Sequence, residues 1–168
     1  MVTWKKQPLG DYDSVWEAFT GRFQFKPSTT QWPGFAEPAD SRTYAIGHVY
    51  GDPDRYAHLT LDLCTKLVRA LRRCIPVGDY VDVLDWQHES FRFWPHEPFE
   101  FAAEDDWPIP VLPNGDYYIF VARDFELGVL GHPWEQTICT FGSPLLEAFS
   151  QDPPELFDRA IRVGGRTV

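Results

Sequence analysis

Cysteine is scarce in this 168-residue chain: Cys64, Cys74 and Cys139 are the whole supply. Cys64 and Cys74 fall on one predicted helix, roughly 15 Å apart along its axis. That is too far for a disulfide. An odd count without metal-ligand spacing argues against a disulfide scaffold or a cysteine zinc site, and fits reduced thiols in a cytoplasm. Long apolar runs are missing too. No stretch of about 18 apolar residues exists, so no membrane span is expected. Lys5 and Lys6 lead into polar sequence, not into the apolar stretch of a secretory signal. Catalytic signatures are also absent. There is no His-x-x-x-His, no Gly-x-Ser-x-Gly, no phosphate-binding loop and no dinucleotide fingerprint, so neither a cofactor nor a metal is assigned. Ser90 and Ser143 have no nucleophile-like surroundings.

Basic residues nearly vanish from the second half. Residues 79–158 hold 17 acidic side chains against only Arg92 and Arg123, whereas residues 1–78 carry ten basic and eight acidic ones. Acidic surface of that density repels nucleic acid and anionic membrane, and attracts a partner with a basic surface. Solubility alone is the competing reading. Hydrophobic residues at 43% and aromatics at 16% exclude a disordered chain. The length suits one domain, residues 1–168.

Helices come early and strands later. Ser14 and Glu17 have capping-box spacing, and Trp16, Phe19 and Phe23 recur at helical intervals, which predicts a first helix from Ser14. An irregular segment follows from Pro27 to about Arg42, where Trp32, Pro33, Gly34 and Phe35 wrap aromatics over the core. Thr43–Val49 reads as a strand. Asp52 before Pro53, with the stripe Tyr56, Leu59, Leu63, Leu67 and Leu71, predicts a long helix over residues 53–74. Period-two alternation begins at Tyr80 and runs to Trp86. Phe91–Trp94, Asp116–Arg123, Phe125–Leu130 and Thr137–Phe141 continue it as a meander. A short helix is expected over residues 144–149, with another over 154–162. The fold class is therefore α+β: a single antiparallel sheet of about five to six strands, with one long helix and shorter helices packed on one face.

Three segments at predicted strand ends or turns carry most of the polar chemistry. They are Leu84-Asp85-Trp86-Gln87-His88, Pro113-Asn114-Gly115-Asp116-Tyr117-Tyr118 and Gly131-His132-Pro133-Trp134-Glu135. Strand ends let a rigid sheet present polar groups at a rim. Asp85, His88, Asp116, His132 and Glu135 are the acid–base candidates, because imidazole titrates near neutral pH and a carboxylate fixes its tautomer. The plain alternative is that the aspartates cap turns, His132 suits an extended position before Pro133, and the tryptophans fill core. For binding, the candidates are the aromatics Trp86, Trp107 and Trp134, rimmed by the acidic run Glu97, Glu100, Glu104, Asp105 and Asp106.

The succession Leu84–His88, Asn114–Phe120 and Gly131–Gly142, with Leu145-Leu146 after it, resembles an uncharacterised bacterial domain-of-unknown-function family. That resemblance spans most of the chain and implies no activity. The layout of the end of the chain, two strands, Phe141-Gly142 and then a helix, is loosely similar to the α+β immunity proteins of bacterial polymorphic-toxin systems. It implies binding. The leading expectation is thus a cytoplasmic protein-binding domain, most concretely an immunity-type inhibitor of a basic toxin. The alternatives are a small-molecule enzyme or ligand-binding domain built on the His/carboxylate cluster, and a scaffold or homodimeric assembly component.

Overall fold

A computed structural model describes residues 3–98 and 107–168. Its strands are β1 (Trp4–Lys6), β2 (Ser41–Ala45), β3 (Val81–Asp85), β4 (Phe91–Phe93), β5 (Tyr118–Ala122), β6 (Gly128–His132), β7 (Thr137–Phe141), β8 (Ala160–Val163) and β9 (Arg166–Thr167). They form one sheet in the order β1-β4-β3-β5-β6-β7-β2-β8-β9, and every neighbouring pair is antiparallel. The α-helices among the described residues are α1 (Leu9–Phe23), α2 (Pro53–Cys74) and α3 (Ser143–Gln151), and Gly47–Val49 forms a short 3-10 helix where the strand expected over Thr43–Val49 has already ended at Ala45. None is long and apolar enough to cross a membrane.

The α+β class and the single antiparallel sheet stand as expected. The strand count does not, for the sheet has nine strands rather than five or six. β1, β8 and β9 are two to four residues long, half-buried or exposed, and lie towards the sheet's two edges. Strands this short carry too little alternation to read. The helix expected over 154–162 is instead a turn followed by β8.

The long helix matches its expected bounds. Asp52 accepts from the Asp54 and Arg55 amides, and Pro53 opens the first turn. The first helix does not begin at Ser14. Pro8 precedes it, and Ser14 lies inside it with its hydroxyl donating back to the Asp11 carbonyl. A mid-helix serine satisfied this way caps nothing.

Helices also cover both faces rather than one. On one side α2 and α3 bury Leu59, Leu63, Leu67, Leu71, Leu145 and Phe149 against Val81, Val83, Phe120, Val129 and Ile138. On the other, Phe19 and Phe23 of α1 join Phe25 and Phe35 from the irregular segment over Leu84, Ile119, Val121, Leu130 and Phe141. The cause is compositional. β5 reads Tyr-Ile-Phe-Val-Ala and is buried throughout, so its two faces both need a cover.

The strands on either side crowd Gly128 of β6. A Cβ there would lie 2.5 Å from the Phe120 carbonyl oxygen and 2.7 Å from Phe141 Cζ. Gly128→Ala should therefore destabilise the chain by about 1–3 kcal/mol through overpacking, read as a lowered urea midpoint. An unchanged midpoint would mean that the strand tolerates the shift.

Candidate functional site

Antiparallel pairing brings the three polar segments to one end of the sheet. Asp85 pairs with Tyr118, Tyr118 pairs with Gly131, and the Trp86 amide donates to the Tyr117 carbonyl at 3.3 Å. The ends of β3 and β6 and the start of β5 thus share a rim. Alternation along β3 then separates neighbours. Asp85 follows Val81 and Val83 on the α2 face, while Trp86 follows Leu84 on the α1 face.

Asp85, His88 and Asp116 converge on this rim. His88 Nδ1 lies 3.0 Å from Asp85 Oδ1 and 3.6 Å from Asp116 Oδ2. Both carboxylates are buried and His88 is exposed. Backbone donors fix the aspartates: the Gln87 amide reaches Asp85 Oδ1 at 3.3 Å, and the Tyr117 amide reaches Asp116 Oδ1 at 2.8 Å. The turn carrying Asp116 is itself held, because Tyr118 donates to Asn114 and Tyr50 donates to the Pro113 carbonyl. Burial, reinforced by the Asp85 carboxylate, pushes Asp116 up to about 6. A hydrogen bond to Asp85 and its charge raise the His88 imidazole.

His132 and Glu135 do not join this cluster. His132 follows Leu130 on the α1 face. Its Nδ1 accepts from the Glu135 amide at 3.1 Å, so the neutral ring carries its proton on Nε2. That proton goes to the Tyr117 hydroxyl, 3.1 Å away. Tyr117 also accepts from the Ser28 amide and donates to the Ser28 carbonyl, each at 3.0 Å. Burial lowers His132 to about 4, so at neutral pH it is an uncharged structural link with both nitrogens engaged.

Glu135 belongs to a buried ion cluster. Arg162 reaches Glu135 at 2.6 Å and Glu37 at 2.9 Å, while Thr137 and Thr43 donate to the two carboxylates. Burial would raise Glu135, but the Arg162 hydrogen bonds and charge outweigh it and hold the carboxyl below its ordinary range. His132 and Glu135 are thus held in a hydrogen-bond link and an ion pair apart from the Asp85–His88–Asp116 cluster. Ser28, Glu37 and Arg162 complete these networks, and no local pattern in the sequence marks them.

The tryptophans divide as well. Trp107 is buried, with Trp4, Phe93 and Phe120 at ring-centroid separations of 5.2, 5.6 and 5.9 Å. It is core, not an exposed anchor. Trp86 and Trp134 do share the rim, 6.5 Å apart and edge to face. Tyr117 packs against both, and His132 links Trp134 to Trp32. Trp32 is 51% exposed and Trp134 38%. Of the acidic run, Glu97 is half-buried and its carbonyl accepts from Arg72. Glu100, Glu104, Asp105 and Asp106 lie outside the described residues.

A groove of about 430 Å³ opens beside the rim, between the start of α1 and the link joining β3 to β4. Gln7, Leu9, Tyr12, Gln87, His88 and Ser90 line it.

Residues 9–146 match the family described as "Protein of unknown function (DUF2716)". The chain belongs to this family. A relative from Bacillus subtilis (strain 168), described as "Uncharacterized protein YxiI", is 32% identical over 160 residues, covering 94% of this chain and 98% of its own. No solved structure matches. The DUF2716 match contains the Asp85–His88–Asp116 cluster and the three rim tryptophans, while Arg162 lies beyond its end.

Proposed function

We propose that the chain is a protein-binding domain, that Trp32, Trp86 and Trp134 form its contact face, and that its partner is basic. The observation that supports this reading is the pair of exposed indoles, Trp32 and Trp134, flanking one aromatic stack at one end of the sheet. Indoles supply large contact area at little entropic cost, and they dominate the energetics of many interfaces. A stack already braced by Tyr117 and His132 is rigid before contact, which lowers the ordering cost of binding. The acidic excess of residues 79–158 adds steering towards a cationic surface. An immunity-type inhibitor of a basic toxin domain in the cytoplasm is the most specific form of this reading.

The test compares the full chain with a Trp32→Ala/Trp134→Ala double variant. Partners captured from the native cell are purified and their affinities measured at low and high salt. The double variant should bind about tenfold or more weaker, and wild-type affinity should fall steeply with ionic strength. Equal affinity of the two forms, or affinity that ignores salt, counts against the reading.

A further inference from the structure

We infer that Asp85, His88 and Asp116 form a binding site for one divalent transition-metal ion, which a ligand in the groove beside α1 would approach. The inference is independent of partner binding at the tryptophans.

Donor spacing is the first argument. The three ligand atoms all lie within 4.8 Å of one another, with His88 Nδ1 at 3.0 and 3.6 Å from its two carboxylate oxygens. Ligands held about 2.0–2.2 Å from one ion stand about 3.0–3.6 Å apart at adjacent positions. The second argument is charge. Asp85 and Asp116 are buried side by side, and among the described residues no lysine or arginine is paired with either. Two carboxylates at such a distance call for a shared cation or a shared proton. With a neutral imidazole they supply two negative charges, matching a divalent ion. The third is rigidity. The Gln87 and Tyr117 amides fix the carboxylates from behind, as outer partners do in metal sites.

A separate observation points to a ligand in the adjoining groove. Gln7 is 5% exposed and Ser90 1%, both line the groove with His88, and among the described residues Gln7 Oε1 and Ser90 Oγ have no hydrogen-bond partner. Buried polar atoms are rarely left unpaired, so a buried water or another small polar group held against them beside His88 is the natural complement. Three protein ligands leave further coordination positions open to water or to such a group. One imidazole with two carboxylates suits Mn²⁺ and Zn²⁺.

The test uses the full chain stripped with chelator, then titrated with MnCl₂ or ZnCl₂ by calorimetry. Loss of the free Mn²⁺ signal in electron paramagnetic resonance is followed in parallel. One ion per chain is expected, with binding weakened more than about tenfold in His88→Ala and Asp116→Asn, since removing even an outer-shell partner costs that much. His88 is exposed, so its variant keeps the fold should Asp116→Asn not. His58→Ala, at an exposed histidine near the start of α2 that faces Glu155, should bind as wild type does. Absence of stoichiometric binding by either ion overturns the proposal. Binding that survives His88→Ala, or that is lost equally in His58→Ala, overturns it as well.

Discussion

Alanine at Arg162 is expected to lower the unfolding free energy by about 3–5 kcal/mol, the cost of breaking a buried ion pair from one side. The guanidinium forks between Glu37 and Glu135, whose side chains are 1% and 9% exposed. Removing it leaves two buried carboxylates facing each other without a counter-charge. Lysine should not rescue the loss, because one ammonium cannot replace hydrogen bonds from Nε, Nη1 and Nη2. Replacing all three residues together by apolar ones of similar size should recover much of it. The damage should centre on β8, which Arg162 fastens to Glu37 and to the β6–β7 turn. Urea denaturation gives the total, and amide hydrogen exchange should show β2 and β8 losing protection first. A loss below about 1 kcal/mol would mean that the cluster behaves as a solvent-screened surface pair.

That cluster also shows where the sequence could and could not be read. The long helix was legible because its signals are local: Asp52 and Pro53 start it, and leucines at helical spacing face one core. The central strands were legible from their period-two pattern, although the strand expected over Phe125–Leu130 begins only at Gly128. Arg162 was not, because its partners stand 27 and 125 residues away. Nothing near a tail arginine distinguishes a clamp from a solvated charge. The first helix failed for a related reason. Serine followed by glutamate at the third position is a local pattern, and Pro8 had already set the start.

At the site, the three rim segments were legible as a group, since turn residues mark strand ends. Their internal sorting was not. A one-residue step along a strand reverses the face, so Asp85 and Trp86 diverge although adjacent. The register that sends Asp85 and Asp116 together, and His132 away, depends on long-range pairing. Trp107 shows the same limit. Its neighbours Pro108 and Pro110 suggest an exposed turn, yet Trp4 on an edge strand and Phe120 on a central one enclose its indole.

The placement of His132 has a measurable consequence in acid. Its folded pKa is about 4 against an ordinary 6.5, because burial disfavours the imidazolium and Arg162 adds to the effect. Below pH 6.5 the unfolded chain takes up a proton that the folded chain refuses, so stability falls as pH falls. The contribution is fully present above about pH 6.5 and is lost by about pH 4, amounting to about 3 kcal/mol. Asp116 acts in the opposite direction over part of this window, since its raised pKa favours the folded state at lower pH. The difference between two proteins isolates His132 from that opposing trend. His132→Gln keeps a neutral hydrogen-bonding side chain and removes the titration. It should be less stable than wild type at pH 7, from lost packing against Tyr117 and Trp134. Its disadvantage should shrink as pH drops towards 4. Unfolding free energies from urea at half-unit pH steps give both curves. Parallel curves between pH 6.5 and 4 would show that His132 carries no buried proton debt, and that the hydrogen bond from the Glu135 amide to Nδ1 does not hold the ring neutral.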